Sequence, residues 1–212
     1  MTKLLTILAK IMSVAFYPLF LPTYGVTLYC VAYSIQVAPL ALVWAIVAIL
    51  GTFLLTCVLP ITAIWILMRK GSVSDLQIEN AKERTMPYIY SLMGFAFWTY
   101  LCAGILHAPL FLSMIAGGAT LTMGLILIIN KKWKISAHLT GMGGFLGGVL
   151  SYYLSIGSIP STGFLCALLG ISLLLMYARL WLNAHSSGQV VAGWLMGIIC
   201  TFVPNVILYY VR

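Results

Sequence analysis

Apolar residues run through this chain in long blocks with short polar interruptions. A membrane-crossing helix needs about 20 apolar residues. Seven blocks fit that requirement: 14–33, 40–68, 88–106, 110–129, 137–156, 162–182 and 189–210. Pro18 and Pro22 interrupt the first, which makes it the weakest and lets it lie in the interface instead of crossing. The second is long enough to tilt or to extend past the lipid. No small-residue cleavage site follows Lys3 and Lys10, so the N-terminal stretch reads as a retained first segment. The pattern predicts an all-α fold: one membrane domain over 1–212, a polytopic transmembrane helix bundle with six or seven spanning helices.

Composition agrees. Hydrophobic residues make up 63% of the chain and charged residues 7%, against about 25% charged in a soluble domain. If all seven blocks cross, the loops 69–87, 130–136 and 183–188 share one face. The short turns 34–39, 107–109 and 157–161 on the other face carry no Lys or Arg. Lys3, Lys10, Arg69, Lys70, Lys82, Arg84, Lys131, Lys132, Lys134 and Arg179 then lie together, with Arg212 opposite. The positive-inside rule makes the charged face cytoplasmic, and the expected location is a bacterial inner membrane. The net charge of +8 sits beside membrane segments. It therefore points to the bilayer and phosphorylated lipids as partners, and away from nucleic acid. Cys30, Cys57, Cys102, Cys166 and Cys200 fall inside apolar runs without metal-ligand spacing and read as small buried residues.

Three polar clusters sit at block edges: 81–87, 134–138 and 178–189. Thr85 with Pro87, Ser136, and Ser186 or Ser187 can each start a helix, so three helix N-termini face the same side. Such ends favour anions. Arg84 and Arg179 can bind phosphate bidentately, or can serve as interfacial anchors. Lys82 and Lys134 admit both readings, while Lys131 and Lys132 look like ordinary anchors. His138 and His185 suit phosphate attack or proton transfer; the plain alternative is an imidazole satisfied by a backbone carbonyl. His107 beside Pro109 fits that alternative better. Arg179 and His185 are six apart, so a break in 183–188 is needed to bring them together, and Gln189 can reach His185 from the next helix. Gly141, Gly143, Gly144, Gly147 and Gly148 read as close helix packing. Ser172 in Gly170-Ile171-Ser172 reads as bonded to a carbonyl of its own helix.

In order and spacing, these clusters resemble the type 2 phosphatidic acid phosphatase superfamily. Its pattern is Lys-x6-Arg-Pro, then Pro-Ser-Gly-His, then Ser-Arg-x5-His-x3-Asp. Arg179 and His185 match the third motif, Ser136 and His138 the second, and Arg84 with Pro87 approximates the first. The resemblance covers about 82–193, a phosphatase core completed by the final helix to 212. It implies an integral-membrane lipid phosphatase that hydrolyses a lipid phosphate or diphosphate through a phosphohistidine, with no metal or other cofactor. His185 would attack phosphorus and His138 would protonate the leaving oxygen. Ser136, Arg84 and Arg179 would hold phosphoryl oxygens, with Lys82 or Lys134 as a substitute for the first-motif lysine, whose position is Gln77. Gln189 replaces the family's Asp, so it can accept the imidazole N–H but supplies no charge. That departure keeps a second reading open: a weakened or inactive member that binds phosphorylated lipid or a membrane partner. A transporter ranks lower because intramembrane charge is nearly absent. Magnesium-dependent prenyltransferases are disfavoured because Asp75 is the lone aspartate.

Overall fold

The computed structural model describes residues 2–75, 78 and 80–211; Gln77, Glu79 and Arg212 lie outside them. Among the described residues the chain is helical, with no strand. The helices are α1 (Thr2–Ala15), α2 (Leu21–Gln36), α3 (Leu42–Phe53), α4 (Leu59–Arg69), α5 (Thr85–Tyr100), α6 (Leu110–Ile129), α7 (Ala137–Ser155), α8 (Thr162–Trp181) and α9 (Ser187–Val211). A π-helical turn, Leu54–Val58, joins α3 to α4 in one continuous span. Pro60 sits just after it. Its ring would clash with the carbonyl four residues earlier, and a wider turn relieves this.

Among the described residues, five helical stretches are long and apolar enough to cross a membrane: Leu42–Arg69, Lys82–Ile105, Leu110–Ile129, Thr162–Trp181 and Ser187–Val211. Their outward faces expose residues such as Phe97, Leu121, Leu173, Leu174 and Ile199, as lipid-facing surfaces do. Hydroxyls inside the spans bond carbonyls of their own helix, as Thr52 does to Ala48, Thr122 to Gly118 and Ser172 to Leu168. In lipid this removes an otherwise unpaired polar group.

The first expected span, 14–33, is corrected. The chain leaves the helix after Ala15 and re-enters it at Leu21. The cause is local: Pro18 disfavours helical geometry at Tyr17, and Pro22 fits only the opening turn of a new helix. The outcome is a 14-residue amphipathic α1, too short to cross as a helix, packed along α8.

The centre of the bundle is the crossing of α7 and α9. Gly143 and Gly147 on α7 face Trp194, Ile198 and Thr201 of α9, while Gly193 and Gly197 on α9 face Ser136, Thr140 and Gly143 at the start of α7, a small-residue spacing on both helices. A methyl group at Gly197 would collide with the Thr140 carbonyl, and one at Gly143 with the Trp194 carbonyl. Backbones therefore touch directly, and dispersion replaces the hydrophobic drive that lipid does not provide. A second close contact involves Pro204 inside α9. It leaves the Cys200 carbonyl without its helical donor, and Gly118 of α6 packs against that carbonyl.

Gly197→Ala is expected to destabilise the bundle by about 1–3 kcal/mol through overpacking, read as a lowered unfolding midpoint in detergent. Gly170→Ala, where nothing lies within 4 Å of an added methyl, is expected to leave the midpoint unchanged or raise it.

Candidate active site

The α7–α9 contact begins at the N-terminal ends of both helices. The Ser136 N–H donates to the Gln189 carbonyl at 3.3 Å. This places His138, in the first turn of α7, near His185, just ahead of α9.

The end of α8 brings Arg179 to the same place. Asn183 adopts φ +50°, a left-handed conformation that asparagine tolerates. The Ala184 N–H then donates to the Arg179 carbonyl at 3.1 Å, and the Asn183 N–H to the Leu180 carbonyl at 2.9 Å. This is a Schellman cap. It reverses the chain, so two residues six apart face one space.

Arg84 arrives from the 70–84 loop. Glu83 braces this loop by accepting from the Ser74 N–H at 2.7 Å, the Ser74 hydroxyl at 2.9 Å and Asn80 Nδ2 at 2.8 Å. Arg84 Nε donates to the Ile78 carbonyl at 2.7 Å. Ile78 holds φ +48°, a costly conformation for a β-branched residue and one that the surrounding structure must enforce.

Arg84, His138, Arg179 and His185 all line one cavity of about 210 Å³. The arginines are 4% and 3% exposed. Among the described residues no carboxylate lines this cavity, and Arg84 Nη1 is buried without a hydrogen-bond partner. Two guanidinium groups thus enter a space of low dielectric, where a charge is costly to bury without compensation.

Each imidazole is fixed through one nitrogen. His185 Nδ1 lies 3.1 Å from the Lys134 carbonyl and 3.2 Å from Gln189 Oε1. Gln189 Oε1 also accepts from the Ser186 N–H at 3.1 Å, the reaching-back half of a capping box. Both neighbours of Nδ1 are acceptors, so Nδ1 carries the proton and Nε2 keeps its lone pair. Burial, then the Arg84 and Arg179 charges, push the His185 pKa down to about 4. The ring is therefore neutral at pH 7. His138 Nε2 lies 3.0 Å from the Ser13 carbonyl, which leaves Nδ1 as its other functional atom.

Ser13 is the residue that sequence reasoning missed. It is buried in α1. Its carbonyl receives His138, and its hydroxyl accepts from Arg179 Nη1 at 3.0 Å while donating to the Ala9 carbonyl at 2.9 Å. Tyr17 packs edge-on to the His138 ring at 5.6 Å, and Tyr88 lies beside Arg84. A serine in an apolar helix carries no sequence signal beyond its chance to back-bond.

Two expected phosphate ligands stand apart from the cavity lining. Ser136 is fully buried and uses its hydroxyl as the α7 N-cap, 3.5 Å from the Leu139 N–H. Lys82 is exposed at the start of the 81–84 turn. It is two residues from Arg84, so it points elsewhere. His107 is exposed in the α5–α6 turn. Comparison with protein families, curated proteins and solved structures finds no match to this chain.

Gln189→Glu is expected to raise the His185 pKa from about 4 by about 1–3 units, because a carboxylate favours imidazolium. An NMR titration of the His185 ring measures it.

Proposed function

We propose that this chain is a metal-independent lipid phosphatase, a divergent relative of the type 2 phosphatidic acid phosphatases. The observation that carries this reading is the convergence of Arg84, Arg179, His138 and His185 on one cavity. The two guanidiniums bind the phosphoryl oxygens and stabilise charge as it spreads in the transition state. His185 Nε2 attacks phosphorus in line with the leaving lipid oxygen, and a P–N bond forms as the P–O bond breaks. A substrate phosphate bound as its monoanion supplies the proton: the His138 Nδ1 lone pair takes it up and passes it to the leaving oxygen. Water then attacks the phosphohistidine, with His138 as the base, and releases phosphate. The role of Gln189 is to hold the His185 tautomer; unlike a carboxylate it adds no charge to steady the imidazolium formed on attack. Lys70, Lys131 and Lys132 flank this end of the bundle, which supports a cytoplasmic placement of the site.

The uncharged Gln189 also favours a second reading, in which phosphorylated lipid is bound without turnover. Phosphate release from farnesyl diphosphate and short-chain phosphatidic acid, without added metal, separates the two. Wild type is expected to release phosphate, and His185→Ala to lose about 10³-fold or more, as nucleophile removals do. Equal rates for the two proteins would remove the catalytic reading.

The pH profile supplies a second check. His185 must be neutral to attack, and its pKa lies at about 4. The acid limb of kcat/KM is therefore expected near that value, well below the ~6.5 of free imidazole.

A further inference from the structure

The four cationic and imidazole side chains occupy one end of the cavity. The rest continues along α7, whose residues line it from His138 through Gly141, Gly144 and Gly148 to Tyr152. At 1.5 Å per helical residue, that run is about 21 Å long. Its deep end is aromatic. The Tyr29 and Phe111 rings lie 5.4 Å apart, and Tyr29 and Tyr152 5.9 Å apart. Trp98 lines the same arm. Gly25, Gly141, Gly144 and Gly148 leave the bore open where side chains would fill it. The cavity, about 210 Å³ in all, is narrow for such a length.

We propose that this arm is a binding site for the single hydrocarbon chain of a phosphorylated lipid. The floor formed by Tyr29, Phe111 and Tyr152 limits the chain length accepted. The inference rests on the reading of the cationic end as the phosphate site. A two-chain glycerolipid does not fit a bore of this width without leaving one chain outside. Linear alkyl and prenyl phosphates share the required shape: one anionic head and one tail.

Two substitutions change the bore without touching the charged end. A Cβ at Gly148 would lie 3.5 Å from Ile115, an ordinary contact, so Gly148→Leu is accommodated at the backbone and projects into the arm. Phe111→Ala deepens the floor. The probes are hexyl, hexadecyl and docosyl phosphates and dihexadecanoyl phosphatidic acid, in detergent and without metal. Wild type is expected to favour hexadecyl phosphate over phosphatidic acid by about tenfold or more, the scale of about two buried methylenes. Gly148→Leu is expected to lower kcat/KM for hexadecyl phosphate by a similar factor while leaving hexyl phosphate within about twofold. Phe111→Ala is expected to extend activity to docosyl phosphate.

Equal losses on short and long chains, or equal handling of phosphatidic acid by wild type, would overturn the proposal. Tryptophan quenching by chain-brominated hexadecyl phosphate gives a readout that does not require turnover. Quenching weakened by Gly148→Leu, with no hydrolysis by any variant, would uphold the tail site and sink the phosphatase reading. Hydrolysis without chain-length discrimination would do the reverse. Neither quenching nor hydrolysis would overturn both.

Discussion

The closeness of α7 to α9 is the constraint on which the site depends. Glycines on both helices let the backbones touch, and each helix begins next to a histidine. Because Gly143 and Gly197 abut carbonyl groups of the partner helix, the two helices have little room to slide. Fixing the helices fixes the distance between the two imidazoles. The Ser136–Gln189 backbone bond ties the two helix starts at the same level. A looser crossing with ordinary side chains would hold the bundle together yet leave the histidines free to drift.

Around that fixed pair, the polar network has one direction. Each imidazole has a backbone carbonyl against one nitrogen, so each tautomer is set before any ligand arrives. Gln189 serves two groups at once, the His185 ring and the Ser186 N–H. Its amide orientation follows from the second of these, since an N–H requires the oxygen. Among the described residues no carboxylate lines the cavity, and Arg84 Nε and Arg179 Nη1 are held by a carbonyl and a hydroxyl respectively. This preorganisation removes much of the reorganisation that a bound phosphate would otherwise demand.

Much of this architecture could be read from the chain. The block 110–129 coincides with α6, because hydropathy reports the length of lipid that a helix must cross; 137–156 differs from α7 by one residue, although α7 is not among the five stretches apolar enough to cross. The break at 183–188 was visible from the spacing of Arg179 and His185, although the left-handed Asn183 that makes it was not. The block 14–33 misled because hydropathy does not register a break between two helices; the prolines did. Ser136 has the right residue type for a phosphate ligand, but the helix N-terminus claims its hydroxyl. Lys82 and Arg84 look equivalent in the sequence and differ by the rotation of a tight turn. Ser13 could not be foreseen, since its importance lies in what folds against it.

Ser13 has one more consequence, for how the protein comes into being. Its bonds to His138 and Arg179 link residues 125 and 166 positions apart. A nascent chain emerges from its N-terminus, so α1 exists long before either partner has been synthesised. Its buried serine has to wait, bonded within its own turn, until α7 and then α8 arrive in the bilayer. The cavity that holds the two histidines and two arginines is thus closed among the last events of biogenesis, and an intermediate holding the earlier helices alone lacks it.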